Sequence, residues 1–383
     1  MSDLPVVVRR ARFATAAVFF LNGFGFANWV PRLAEVKARV GLDEAGFGLA
    51  LLMLAIGALV AMPAVGAAVG RYGSRRPTAA SLLLFMLAPL AWSLAPDPVL
   101  LGLGFLAIGA MAGALDVAMN AQAVDVERAA GRPVMSALHG MFSLGGLTGA
   151  LASGVFIGLG LPLPLHMALV ALVTLPPGLL ACAFMLEDEN PAPAGGPAFA
   201  LPGRGLIPIG VIAFAALLIE GAIADWSAIY LRESLDADAR LAAWAFAAFQ
   251  LTMAGGRFMG DRLIQRFGRV RLARVGGLLA ALGVAGLLLL GQPWAAIAGF
   301  ALVGLGIAAT FPMTISAAAE GESRPGHAVA AIATLGYTGF LIGPPTIGGL
   351  ASLISLPLAL LLLPALGVLI AILAPTLSRT PRP

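Results

Sequence analysis

Apolar runs of about 20 residues follow one another along almost the whole chain, parted by short polar or Gly/Pro-rich turns. Each run is long enough to cross about 30 Å of hydrocarbon as a helix. Strands of a membrane barrel would alternate apolar and polar side chains, and these runs do not. A backbone in lipid must satisfy its own hydrogen bonds, so such runs can only be helices. Composition agrees, with 60% hydrophobic and 11% charged residues, where a soluble domain carries roughly 25% charged. Mean hydropathy is +0.96.

Twelve spans are predicted, at 13–33, 45–69, 78–95, 99–123, 135–158 and 164–186, then 205–231, 240–260, 272–290, 294–318, 328–351 and 356–376. The basic start RRARF followed by an apolar core resembles a secretory signal, but no clear cleavage site follows, so it is read as the first span. The Pro/Gly/Ala-rich connector 187–204 divides a first bundle, 1–186, from a second, 205–383. Only Arg32, Lys37, Arg39, Arg232 and Arg240 fall in the predicted outer loops, and the other eighteen of 23 Lys and Arg fall inside. That bias places both termini and the connector in the cytoplasm. The formal net charge of +4 is thus a topology signal and not a nucleic-acid patch. The lone Cys182 excludes an internal disulfide and is expected to pack as a small apolar residue.

The halves repeat. NGFGFANW (22–29) and GRYGSRR (70–76) have counterparts in EGAIADW (220–226) and DRLIQRFGRVR (261–271), about 195–200 residues later. Parallel repeats of six spans characterise a class of transporters that bind solute near the midplane and open it alternately to each side. The loop Gly66, Arg71, Gly73, Arg75 and Arg76 resembles the signature between spans 2 and 3 of the major facilitator superfamily, with Gly70 where Asp is usual. In the second half Asp261 lies about a turn before the matching slot, followed by Arg262, Arg266, Gly268 and Arg269. LDVAMNAQ (115–122) and HGMFSLGGLTGALASG (139–154) are similar to the fucose:proton symporter branch and its unassigned bacterial inner-membrane members. The resemblance implies an all-α membrane protein of twelve transmembrane helices in two pseudo-symmetric six-helix halves. The loop arginines would then cap cytoplasmic helix ends and act in gating.

Acids inside spans cost about 2.5–3.5 kcal/mol each and normally face a cavity or a partner. Asp116, with Asn120 one turn on, is a candidate proton carrier, or else an Asp locked by hydrogen bonds. His139 is expected near the same depth, as a proton relay or as a satisfied interhelical histidine. Glu220 and Asp225 lie about 140° and 7.5 Å apart on one helix. Glu220 is expected to face the cleft, and Asp225 to be satisfied by water or Arg232. Asn22, Asn28, Trp29, Gln122, Trp226, Gln250 and Tyr337 are candidates for solute binding, since amides meet hydroxyls and indoles stack on sugar rings. Trp29, Trp226 and Tyr230 also fit an interfacial aromatic belt. His166, His327 and Glu187–Glu189 read as loop or interface residues.

No Walker loop, metal-spaced His/Cys set or dinucleotide fingerprint is present, so neither an enzyme nor a bound cofactor or metal is expected. The function expected is secondary active transport of a small polar solute, a sugar or sugar-like metabolite, across a bacterial inner membrane. Protons would be coupled by alternating access in a monomer. The alternative is a proton-driven exporter of drugs or amphipathic metabolites; a non-transporting sensor on the same fold is less expected.

Overall fold

The computed structural model describes residues 5–131, 134–187, 202–320 and 325–378. Two units emerge, Met1–Leu42 with Ala50–Ala194, and Asp43–Leu49 with Gly195–Pro383. Most of the connector 187–204 lies outside the described residues.

The first unit contains α1 (Val6–Trp29), α2 (Leu33–Val40), most of α3 (Glu44–Tyr72), α4 (Arg75–Ser93), α5 (Pro98–Ala130), α6 (Met135–Gly158) and α7 (Leu163–Ala183). The second contains α8 (Ile207–Ile229), α9 (Ala239–Phe267), α10 (Arg269–Leu290), α11 (Pro293–Ile307), α12 (Thr310–Ala319), α13 (Pro325–Leu353), α14 (Leu356–Ala359) and α15 (Leu362–Leu373). Ten helical segments among the described residues are long and apolar enough to cross a membrane. The less apolar α4 and α9 complete twelve membrane-length elements, and no strand occurs among the described residues.

Local chemistry sets the ends. Asp97 caps α5 by accepting from the amides of Val99 and Leu100, both at 2.9 Å, with Pro98 at the first helical position. Such a cap satisfies two of the orphan donors of a helix start. Glycines with positive φ close α5 at Gly131 and α9 at Gly268. Two predicted spans are interrupted instead of continuous. The tenth breaks between α11 and α12, where Pro312 lacks the N–H that would bond the carbonyl of Ala308. The twelfth breaks between α14 and α15, where Pro364 stands in the same relation to Leu360.

Packing within each unit relies on small residues that let backbones approach. A Cβ on Gly23 of α1 would lie 1.9 Å from the carbonyl oxygen of Phe142 on α6. One on Gly145 of α6 would lie 1.9 Å from that of Phe20 on α1. With no hydrophobic force between helices in lipid, such contact is what van der Waals attraction needs. In the second unit Gly276 of α10 and Gly306 of α11 stand in the same reciprocal relation.

Candidate functional site

The second unit holds an ion pair at membrane depth. Glu220 lies thirteen residues into α8, and Arg257 ten residues before the end of α9. Nη2 of Arg257 donates to Oε1 of Glu220 at 3.0 Å and to Oε2 at 3.2 Å. The side chains are 14% and 20% exposed respectively. Two charges so placed are paired because either alone would be costly to desolvate. The charge count above places Arg257 with the cytoplasmic arginines, whereas the structure sets it inside the bundle. Its signal was present in the sequence: an arginine inside a predicted span, in a half whose first span carries an acid.

Asp225 is half-buried on α8, and among the described residues it has no hydrogen-bond or ion-pair partner. Arg232, expected to satisfy it, donates instead to the carbonyl of Ala237 at 2.8 Å. The backbone reason is local, since the chain leaves α8 through a π-helical turn at Tyr230–Ser234.

In the first unit Asn120 donates to the carboxylate of Asp116 at 3.0 Å and to its main-chain oxygen at 2.8 Å. That is a one-turn contact on the half-buried face of α5. His139 sets its ring edge-on to Phe19 with centroids 5.3 Å apart. Asn22 is buried, its amide 3.5 Å from the sulfur of Met119.

Other polar candidates are committed to the protein. Asn28 donates to the carbonyl of Phe24 at 2.8 Å, and its Oδ1 meets Nε2 of His166 at 3.0 Å. Its own carbonyl accepts from Ser153 at 2.9 Å. His166 is therefore no loop residue but a buried member of α7. Nε of Arg32 donates to its Nδ1 at 3.2 Å, and arginine has only donors. Nδ1 must then be the acceptor, so the ring is neutral and Nε2 carries the proton given to Asn28. Arg32 also donates to Glu35 at 2.6 Å and to the carbonyl of Leu161 at 2.7 Å. This replaces the expected exposed outer loop with a buried polar network. Gln122, fully buried, donates to the carbonyl of Leu186 at 3.2 Å and to Ser74 at 2.7 Å, and accepts from the Leu186 amide at 2.8 Å. Asn28 and Gln122 thus both spend amide hydrogen bonds on the protein itself.

The aromatic belt is also corrected. Trp29, Trp226 and Tyr230 are 2%, 0% and 1% exposed, so none faces lipid. Trp29 meets Phe26 and Trp92 edge-to-face, and Trp226 meets Phe47. Tyr337 is half-buried between Phe311 and Phe340, with centroids 6.2 and 6.5 Å away. Gln250 is buried on α9.

In the turns between α3 and α4 and between α9 and α10, Gly73 and Gly268 take φ of 72° and 77°, a region that favours glycine. Arg75 pairs with Glu187, and Arg269 with Glu320 at 2.6 Å. The hydrogen bond from Arg269 holds the Glu320 carboxyl below its ordinary value. Arg71 lies over the Tyr72 ring and Arg266 over that of Phe267. Arg76, Asp261 and Arg262 are exposed, and Gly66 has open space around it. Of the loop-type residues, His327 is exposed at the start of α13. Cys182 is buried. No cluster of His, Cys, Asp or Glu able to hold a metal occurs among the described residues.

Twelve membrane-length helices in two units, with ionisable groups held inside them, define a multi-pass membrane transporter. The chain belongs to the Major Facilitator Superfamily, whose family profile matches residues 15–224 and 209–383. It is 38% identical over 349 residues to an uncharacterised MFS-type transporter of Yersinia pestis, covering 90% of each chain. It is 34% identical over 369 residues to the uncharacterised transporter y4wD of Sinorhizobium fredii, covering 95% of this chain and 97% of that one. Among solved structures, a point mutant of the nucleoside transporter NupG superposes with a TM-score of 0.74 at 14% identity, over 96% of this chain and all of that one. These relatives are transporters and not enzymes.

Proposed function

We propose that this protein is a proton-coupled secondary transporter of a small polar solute, a sugar or sugar-like metabolite. In this reading it works by alternating access as a monomer in a bacterial inner membrane, nearest the fucose:proton symporter-like branch. Both termini and the 187–204 connector face the cytoplasm, and residues 1–186 and 205–383 are its two functional halves. The observation that carries the reading is the Glu220–Arg257 pair between α8 and α9. Of its two members only the carboxylate can take up a proton, since arginine is already fully protonated. Protonation of that carboxylate breaks the pair, so proton uptake can shift the unit between a paired and an unpaired arrangement, and such a difference is what coupling requires. Asp116, with its Asn120 partner, is the second titratable candidate, in the other unit.

The test uses purified protein in vesicles with an alkaline interior, following solute entry and proton entry together over a panel of sugars and sugar acids. Glu220→Gln is expected to abolish proton-driven accumulation while leaving solute exchange across equal pH. Accumulation that survives Glu220→Gln would remove Glu220 as the coupling group.

A further inference from the structure

The turns at Gly73, between α3 and α4, and at Gly268, between α9 and α10, share a feature that internal packing does not use. Immediately before each glycine stands an exposed aromatic ring with an arginine over it. Arg71 lies 5.2 Å from the centroid of Tyr72, and Arg266 lies 5.4 Å from that of Phe267. Three residues after each glycine stands a further exposed arginine, Arg76 in one turn and Arg271 in the other. Arg75 and Arg269 in the same turns are committed to Glu187 and Glu320. Arg71, Arg76, Arg266 and Arg271 make no ion pair or side-chain hydrogen bond among the described residues.

These arginines extend faces that the helices give to lipid. Along α9, Leu251, Phe258, Arg262 and Arg266 follow at steps of seven, four and four, and all are exposed. Such steps keep to one side of a helix, so a single stripe passes from apolar to charged. Along α10 the exposed stripe runs the other way, from Arg271 and Arg274 to Leu278 and Leu282. Exposed apolar side chains on a membrane-length helix face acyl chains, and the arginines that continue their stripes stand at headgroup level. The first unit repeats this, with Val60, Ala64, Ala67 and Arg71 on α3, and Arg76, Ala80, Leu84 and Leu87 on α4. Charge balance in the second turn calls for an anion. Residues 261–274 hold five arginines and one acid, Asp261. Arg262 with Arg266, and Arg271 with Arg274, set like charges one helical turn apart, where they repel. An acidic protein segment would match the charge alone; an anionic lipid matches the charge and the apolar stripes together.

We propose that the α9–α10 turn is a binding site for an anionic phospholipid, with Arg266 and Arg271 on the headgroup phosphate. Guanidinium groups suit phosphate oxygens, Phe267 sits at the interface, and the acyl chains lie along the exposed stripes of α9 and α10. The α3–α4 turn, with Arg71, Tyr72 and Arg76, is a second and weaker copy. It is weaker because Ala67 and Ala79 stand where the second turn has Arg262 and Arg274. The site is independent of the solute and of the coupling reading above.

The experiment counts lipids bound to the purified full chain by native mass spectrometry from a neutral detergent. The probes are phosphatidylglycerol and phosphatidylcholine with identical acyl chains. The wild type is expected to retain two phosphatidylglycerol molecules, the tighter at least about tenfold preferred over phosphatidylcholine. Arg266→Gln with Arg271→Gln is expected to weaken the tighter one by roughly 20- to 30-fold, at about fivefold per arginine. Arg71→Gln with Arg76→Gln should remove the weaker one and leave the tighter in place. Arg266→Lys with Arg271→Lys keeps the charge and should keep most of the binding. All four side chains are exposed, so melting without lipid should match the wild type and separate lost binding from lost fold. Equal retention of the two lipids, or a preference unchanged in the glutamine variants, would overturn the proposal. Glycerol phosphate or poly-glutamate displacing phosphatidylglycerol at equal concentration would also overturn it, in favour of a soluble anion or an acidic protein.

Discussion

Replacing Arg32 with methionine tests whether the end of the first unit where α1, α2 and α7 meet is held by a polar network or by apolar packing alone. Arg32 supplies three donors to two helices and a loop: Nε to His166 on α7, Nη1 to Glu35 on α2 and Nη2 to the carbonyl of Leu161 between α6 and α7. Methionine keeps much of the side-chain volume and removes every donor. The Glu35 contact contributes little, since that carboxylate is 46% exposed and exposed pairs are worth about 0–1 kcal/mol. The other two acceptors lose their donors in a largely dehydrated setting, at about 1–3 kcal/mol each. Leu161 is half-buried, so water recovers part of its share, and the total is about 2–4 kcal/mol. At roughly 2–4 °C per kcal/mol for a unit of this size, melting should fall by about 5–15 °C. Thermal unfolding in detergent, followed by intrinsic fluorescence, reads this directly. Glu35→Gln should move the midpoint by under about 2 °C. The double variant Arg32→Met with His166→Leu should cost less than the sum of the singles, because the two share one hydrogen bond. A midpoint for Arg32→Met equal to that for Glu35→Gln, or strict additivity in the cycle, would refute the reasoning.

Gly145→Ala drives a Cβ to 1.9 Å from the Phe20 carbonyl oxygen and should cost about 1–3 kcal/mol or more. Gly255→Ala on α9, with nothing within 4 Å, should be neutral or gain up to about 1 kcal/mol; the same melting assay ranks the two. The Arg269–Glu320 pair lowers the Glu320 carboxyl from its ordinary 4.5. A depressed acid contributes stability that is present above its ordinary value and lost as pH falls through the lowered one. Wild type and Glu320→Gln should therefore melt apart at neutral pH and converge in acid. A gap that stays at full size down to about pH 2, below the ordinary carboxylate range, would contradict the assignment.

The membrane class and the helical runs were legible because lipid leaves the backbone few options and apolar length is read directly. The breaks at Ala308 and Leu361 escaped because proline three residues into a new helix looks, in sequence, like proline inside a continuous one. Charge hid α2: LAEVKARV, with Glu35, Lys37 and Arg39, reads as a loop, yet Lys37 is 5% exposed. Arg39 there donates to the carbonyl of Ser93 at 2.7 Å. His166 and Arg257 were missed for one shared reason. Each is explained by a partner more than 30 residues away, Arg32 and Glu220, and spacing along one helix carries no information about such pairs.

The repeat becomes sharper when it is followed by contacts and not by motif. Gly73, Ser74 and Asp125 recur 195 positions later as Gly268, Arg269 and Glu320. Both glycines hold positive φ, because the chain must reverse between helices there and a Cβ would resist it. The residue after each glycine then reaches an acid near the C-terminal end of the next span. In the first unit Ser74 donates to Asp125 at 3.0 Å, and in the second Arg269 meets Glu320 at 2.6 Å. The backbone demand is retained in both copies while the bond changes from hydroxyl–carboxylate to guanidinium–carboxylate. Gln122 supplements the weaker version by bonding Ser74 and Leu186. This also accounts for Gly70 in the slot where the superfamily signature carries an acid: the acid that ties down the start of α4 is supplied by α5, so the loop does not need its own.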